Sequence, residues 1–589
     1  MDSGRDRPRR RSWLRRFLTG FLATVGLLSL VLVLGVAGGI WWLTRQEEPL
    51  PDQMFLSLDL RRPILEGQPG WMAGWLGDQE EYRLLDLVEA LDRAAGDPRV
   101  KAVYARLDET ARGFATTQEL RSAILELRAA GKRTVAYADS FGELSPANEG
   151  YYLASAFDEI VLQPVGSLGL AGLSMQEPFA QGLLEKLGIR FEVTRRSEYK
   201  TAFDFAAASD PSPEHREMSQ ALLESLDRQF RTGIESGRPQ LAGRIGQLID
   251  AGPYTGEAAL SAGLIDRIAH EDEVLNRLYE GAVSGNGSGS ARWRRVAIED
   301  YRARSRPGGE FPQVAVIHAV GPILRGSGGL EGQTASADDV AGALAAARQD
   351  DAIRAVLFRI ASPGGSAVAS ATIGREIDRL KQAGKPVVVS MGDVAGSGGY
   401  WIAADADLIL AGPATLTGSI GVIAGKPVLQ DLWEWLEVNW LTTSRGEHAE
   451  LWTLNRSYTP AEQAKVDQMV DTIYQAFKER VAAGRGLSAE AVEEVARGRV
   501  WTGEQALPIG LIDRLGGLAD AIAAIKERLN LQPDQEVSLV TLPDPRADLF
   551  RLLGRLRRGL TMVDTLLGGS LGVLARGPAL MALPSAAVR

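Results

Sequence analysis

Within its 589 residues the chain carries the same text twice, so it must fold as two copies of one domain. Gly150-Tyr151-Tyr152-Leu153-Ala154 with Asp158 and Ile160 returns as Gly399-Tyr400-Trp401-Ile402-Ala403 with Asp407 and Ile409, 249 positions later. Tyr254-Thr255-Gly256-Glu257 returns as Trp501-Thr502-Gly503-Glu504, and Pro63-Ile64-Leu65 is answered by Pro322-Ile323-Leu324. The offset drifts from one match to the next, as small loop insertions would make it. The repeats are expected over 51–283 and 311–544, joined by a flexible linker at 284–310 whose core is Ser284-Gly285-Asn286-Gly287-Ser288-Gly289-Ser290.

The copies differ where chemistry is possible. Ser397, in Ala395-Gly396-Ser397-Gly398-Gly399, falls opposite Asn148, and the turn Ser362-Pro363-Gly364-Gly365 falls opposite Glu109-Thr110-Ala111-Arg112. Lys200 falls opposite Ala449. One copy has a serine without a base and the other a lysine without a nucleophile, which points to a composite site drawn from both halves. The chain has 10 lysines against 55 arginines, and only lysine can lose its proton in a protein. Spacing alone leaves a solvated loop lysine open.

Seven arginines between Arg5 and Arg16 precede an uncharged run from Phe17 to Thr44, 28 residues long. About 20 apolar residues cross a bilayer core, and positive charge stays on the cytoplasmic side. The expected plan is therefore a basic cytoplasmic segment at 1–16, a transmembrane anchor at 17–44 and repeats outside the cytoplasm, in the periplasm of a Gram-negative cell or on an equivalent outer face. Zero cysteines exclude disulfides, thiol catalysis and zinc-thiolate sites, and a formal net charge of −10 disfavours nucleic acid. Leu549, Phe550, Leu552, Leu553 and Leu556 among Arg551, Arg555, Arg557 and Arg558 predict a basic amphipathic tail over 545–589.

Short apolar runs alternate with helical patterns. In the second copy these are a strand at Gln313 to Ala319, a helix at Ala337 to Arg348 with Ser336 available as N-cap, and a strand at Ala355 to Ile360. A helix at Ala369 to Gln382 and strands at Pro386 to Met391 and Leu408 to Ala411 follow. The pattern predicts an α/β fold of tandem domains with largely parallel sheets. The glycine-rich turns follow strand ends, where open α/β sheets place their sites.

Glycines in Ser362-Pro363-Gly364-Gly365 let backbone N–H groups turn toward a ligand, and Gly398 N–H adjoins Ser397. Two such donors about 3 Å from a developing oxyanion stabilise acyl transfer. Serine needs a base. His215 and His270 read as exposed helix ends, His318 lies in a strand, and His448 sits beside Ala449, so a lysine is what remains. Burial between the repeats could bring its pKa from about 10.4 to about 7. No G-x-x-x-x-G-K-[ST] pattern occurs, and the Ala395-to-Gly399 segment misses the G-x-S-x-G elbow by one residue, which argues against a P-loop and an α/β-hydrolase.

These motifs resemble the signal peptide peptidase A family in its long two-copy bacterial form, within the Clp-protease and crotonase-like superfamily. The matches are Gly396-Ser397-Gly398-Gly399-Tyr400, Ser362-Pro363-Gly364-Gly365, Thr417-Gly418-Ser419-Ile420-Gly421 and Tyr199-Lys200. The resemblance implies tandem Clp/crotonase-like domains of ββα type and a serine endopeptidase without cofactor or metal. By it Ser397 is the nucleophile, Lys200 the general base, Ser419 a holder of the lysine amine, and Gly398 with Gly364 or Gly365 the oxyanion hole. It further implies a bowl-shaped homotetramer on the bacterial inner membrane that degrades signal peptides. The first copy carries Gly166-Ser167-Leu168-Gly169, read as the counterpart of Gly418-Ser419-Ile420-Gly421, which leaves a structural role for Ser419 open. A crotonase-type acyl-CoA enzyme and a non-catalytic membrane scaffold are the rival readings.

Overall fold

The computed structural model describes residues 49–67, 81–281, 292–305, 308–328 and 334–543, with a few positions between 26 and 36. The basic segment, almost all of the expected anchor, the glycine-serine run and the 545–589 tail lie outside the described residues. Among the described residues no helix is long and apolar enough to cross a membrane.

The first repeat runs β1 (Met54–Asp59), α1 (Leu84–Gly96), β2 (Val100–Leu107), α2 (Phe114–Ala129), β3 (Arg133–Ala138), α3 (Asn148–Ala154) and β4 (Glu159–Leu162). These four strands pair in parallel in the order β4-β3-β2-β1. An outlying strand β5 (Arg190–Arg196), a short helix α4 (Asp204–Ala207) and a long helix α5 (Pro213–Gly237) follow. The second repeat opens with β6 (Gln313–Val320), α6 (Ala337–Gln349), β7 (Ile353–Ser362), α7 (Ala367–Gln382), β8 (Val387–Gly396) and α8 (Gly398–Ala403). It continues with β9 (Leu408–Ala411), β10 (Leu416–Gly418), β11 (Val422–Val428), α9 (Pro460–Arg485) and α10 (Leu518–Arg528). Strands β6, β7, β8 and β9 are parallel as well.

The strands read as near-continuous apolar runs because helices cover both faces of each sheet. β7 is buried along almost its whole length. α1 buries Leu84, Leu87, Val88 and Leu91, one stripe at helical spacing. The duplication extends to single bonds: Tyr151 donates its hydroxyl to Leu264 O and Tyr400 does the same to Leu511 O, each at 2.8 Å.

Two expectations need correction. Residues 292–305 are not linker: Arg294–Ala297 adds a parallel strand beside β1, and the helix Ile298–Arg304 buries Ile298 and Tyr301. The dense arginines of this stretch concealed its short apolar alternation. Ser538–Leu542 makes the corresponding edge beside β6. Ser336 precedes α6, but its side chain makes no capping bond.

The repeats meet across a buried ionic knot. Arg359, on β7 and 0% exposed, donates to Glu66 Oε1 and Oε2, each at 2.8 Å, to Glu119 Oε1 at 2.6 Å and to Ser390 Oγ at 2.7 Å. Burial pushes both carboxylates up. At Glu119 burial wins, while at Glu66 the Arg359 charge outweighs it and holds the group below its usual range. Asp393, on β8, reaches the first turn of α2, where Oδ1 accepts from Ala115 N at 2.8 Å and Oδ2 from Thr116 Oγ1 at 2.6 Å. Removing one partner of a buried ion pair leaves an uncompensated charge. Arg359→Met is therefore expected to destabilise the chain by about 3–5 kcal/mol, read as a lowered urea midpoint; an unchanged midpoint would show that the knot carries no stability.

Candidate active site

Lys200 belongs to the first repeat but is held by the second. β5 pairs antiparallel with β11, with Arg190 opposite Val428 and Arg196 opposite Val422. Around this ribbon Gln463 Nε2 donates to Thr194 Oγ1 at 2.8 Å, and Arg196 pairs with Asp471 at 2.6 Å. Beyond β5, Tyr199 N donates to Arg497 O at 3.1 Å, and the Arg499 guanidinium lies 5.0 Å from the Tyr199 ring. Gly498 has φ +83°, and a Cβ there would sit 2.5 Å from Lys200 N. Only glycine lets the two loops approach so closely.

Ser397 stands at the junction of β8 and α8 with φ +54° and ψ −119°, a region that L-residues adopt only when the surroundings enforce it. Its N–H donates to Gly418 O at 2.9 Å and its carbonyl accepts from Trp401 N at 2.9 Å. Beside it the loop after β7 passes through Gly364 (φ +101°) and Gly365 (φ +153°). A Cβ on Gly364 would lie 2.7 Å from Ser397 Cβ, and one on Gly365 would collide with Ile323 O. Gly364 N–H is already given to Ser362 Oγ at 3.1 Å. Gly365 N–H and Gly398 N–H have no partner among the described residues, so of the expected donors these two are available to a ligand.

The two halves converge on the lysine amine. Lys200 Nζ lies 3.0 Å from Ser397 Oγ, 2.9 Å from Ser419 Oγ and 2.8 Å from Ser419 O. The residue is 5% exposed, and burial alone lowers its pKa from 10.5 to about 7. At 1.36 kcal/mol per pH unit, that depression corresponds to roughly 5 kcal/mol of disfavoured charge. A neutral amine has two N–H bonds and one lone pair. With the N–H bonds directed at Ser419 O and Oγ, the lone pair is left for the Ser397 hydroxyl proton.

Strand register corrects the reading of Ser419. Ser167 pairs with Thr255 and Leu168 with Tyr254, whereas Leu416 pairs with Thr502 and Thr417 with Trp501. Gly169 is thus the counterpart of Gly418, and the counterpart of Ser419 is the buried Leu170. The shared Gly-Ser-x-Gly text is a coincidence displaced by three positions. Ser419 is absent from the first copy, as are Ser397 and the glycine pair. In that copy the buried Arg112 takes the place of Gly365 and donates to Leu60 O, Thr110 O and Asp108 Oδ1.

The histidines do not compete for the site: none hydrogen-bonds Ser397 or Lys200. His215 is nevertheless not the exposed helix end it was expected to be, since it is 6% exposed and bonded to Asp204 and Glu177. Gly498, Arg497 and Arg499, which seat the Lys200 loop, carry no motif in the sequence. A glycine flanked by arginines looks like any solvated turn.

Peptidase family S49 matches the chain twice, over residues 126–284 and 379–532. The chain is similar to "Serine protease SPPA, chloroplastic" of Arabidopsis thaliana, 34% identical over 520 residues that cover 85% of this chain and 75% of that protein. It is also similar to "Protease 4" of Haemophilus influenzae, 30% identical over 484 residues that cover 80% of this chain and 77% of that protein. Among solved structures, a point mutant of the "1510-N membrane-bound stomatin-specific protease" superposes on 40% of this chain and 99% of its own, with 18% identity and a TM-score of 0.25. Two family matches in one chain, relatives aligned across both repeats and a buried lysine facing a serine lead to one conclusion: the chain belongs to peptidase family S49 and is a serine peptidase.

Proposed function

We propose that the chain is a membrane-anchored endopeptidase that degrades cleaved signal peptides and other hydrophobic peptides at the outer face of a bacterial inner membrane, using Ser397 as nucleophile and Lys200 as general base. The observation that carries the catalytic reading is the 3.0 Å approach of a desolvated Lys200 Nζ to Ser397 Oγ. Neutral Lys200 takes the Ser397 proton as Oγ bonds to the peptide carbonyl carbon. Gly365 and Gly398 N–H groups receive the oxyanion, at about 3 Å. Protonated Lys200 then gives its proton to the departing amine nitrogen as the C–N bond breaks. Water, deprotonated by Lys200, cleaves the acyl ester and restores both groups. Ser419 orients the amine throughout.

The anchor and the substrate class are supported by the sequence: the arginines before Phe17, and the 28 uncharged residues that follow. A site tethered beside a bilayer meets apolar segments. A relative 34% identical over 184 residues, which cover 31% of this chain and 54% of that protein, is named "Putative signal peptide peptidase SppA" in Enterococcus faecium.

Assembly as a homotetramer is supported by the repeat. Segments 173–179 and 439–445 stand 249 positions from β11 and β5, yet neither is paired as a strand. Val165 is fully exposed, while its counterpart Ala414 is buried against α2, its N–H bonded to Gln118 Oε1 at 2.9 Å. A second copy presenting 439–445 to 173–179 would repeat the contact made within the chain, and such head-to-tail contacts form a ring when the rotation from copy to copy closes. Thr443→Pro is expected to shift the sedimentation coefficient from tetramer to smaller species; a wild-type monomer would refute the assembly.

Ser397→Ala and Lys200→Ala are each expected to abolish hydrolysis of a hydrophobic peptide without changing the circular dichroism spectrum; full activity in either refutes the dyad. A fluorophosphonate probe should label Ser397 in the wild type, where an acyl-CoA enzyme of crotonase type would leave it unlabelled. Because the neutral amine is the working form and its pKa is lowered to about 7, kcat/KM should fall about tenfold per pH unit below that point and level off above it. A rate still climbing between pH 8 and 10 would contradict this. Gly365→Ala should lower kcat by about a hundredfold, the scale of losing one oxyanion donor.

A further inference from the structure

The loop that carries Lys200 leaves β5 and returns into α4, and both of its ends are tied to one buried carboxylate. Arg195 Nη1 donates to Asp204 Oδ1 at 2.6 Å, closing the loop at its base. Asp204 N in turn donates to Thr201 O at 2.9 Å, beside the lysine. Asp204 is 3% exposed and has no part in the chemistry above. Over it, in the first turn of α5, sits the buried His215. Its Nδ1 is 3.2 Å from Asp204 Oδ2 and its Nε2 is 2.6 Å from Glu177 Oε2, with Glu177 also accepting from Ser219 Oγ at 3.2 Å. The Phe179 ring closes the cluster, 5.5 Å from the imidazole.

A buried carboxylate persists only when it is paired and hydrogen-bonded. Here the partners come from two separate elements, Arg195 near the end of β5 and His215 at the start of α5, and the imidazole is held in turn by Glu177 from the segment before β5. The residues between Arg195 and Asp204 therefore have both ends fixed, which restricts the loop to few conformations. The lysine amine must stay within hydrogen-bond reach of Ser397 and away from water, and a displacement of about 1 Å costs on the order of a hundredfold in rate.

We infer that Asp204, clasped by Arg195 and His215, is a positioning group for the general base: it acts through Lys200 by fixing the loop that keeps the amine dry and aligned, and touches neither substrate nor Ser397. The inference rests on the reading of Lys200 as that base. In the full chain, Asp204→Asn and His215→Asn are to be compared with wild type for kcat, KM and the pH midpoint of kcat/KM on a hydrophobic peptide. Expected are a kcat loss of about ten- to a hundredfold, a KM within about twofold and a midpoint moved upward, because water reaching the amine relieves its desolvation. Arg195→Lys, which keeps the charge, should retain most of the activity that Arg195→Met loses. Wild-type kcat and an unmoved midpoint in either folded variant overturn the clasp, as does a kcat loss with an unmoved midpoint. If Asp204→Asn does not fold, His215→Asn decides by the same criteria. An inactive Lys200→Ala beside a fully active Asp204→Asn would sink the clasp alone, whereas an active Lys200→Ala would remove the base itself.

Discussion

The site depends on taking one ammonium group out of water. Lysine in solution is protonated at neutral pH and cannot accept the proton of a serine. No neighbouring cation lowers the affinity of Lys200 for its proton; burial does. That burial exists only because β5 of the first repeat lies against β11 of the second and the loop beyond it is pressed onto Arg497, Gly498 and Ser419. Neither repeat alone could make the base, since one holds the amine and the other the walls that keep it dry.

Duplication explains how such a division arises. In two copies of one fold, each repeat has a corner where a serine can sit and an arm where a lysine can sit, and the chain fills one of each. The unused corner is closed off: Arg112 occupies the glycine loop, Asn148 replaces the nucleophile and bonds Gly172 O at 2.8 Å, and Leu170 stands where the lysine holder would be. The unused arm of the second repeat, around Ala449, has no ribbon partner among the described residues. The ionic knot around Arg359 and the grip of Asp393 on α2 hold the working pair of surfaces together.

Much of the fold was legible because parallel strands and their crossover helices write long apolar periods, and the second copy repeats them. Ser397, Lys200 and the glycine turn were legible by difference, as residues that one copy has and the other lacks. The true partner of Ser419 was not, because Gly-Ser-x-Gly recurs three positions out of register and only strand pairing reveals the slip. The edge strand at Arg294–Ala297 was hidden by its charge. His215 was misread because a histidine among charged residues looks solvated, when the carboxylates that let it be buried, Asp204 and Glu177, lie 11 and 38 positions away in the sequence. The choice between Gly364 and Gly365 as donor needed the Ser362 hydroxyl, whose direction no sequence pattern records.

The most direct test is to titrate the amine itself. With lysine side chains isotopically labelled in the intact chain, and the Lys200 resonance assigned by its disappearance in Lys200→Arg, nuclear magnetic resonance follows the protonation of that single group. A midpoint near 7 is the result required by a desolvated base; a midpoint near 10, as for a solvated lysine, would contradict it.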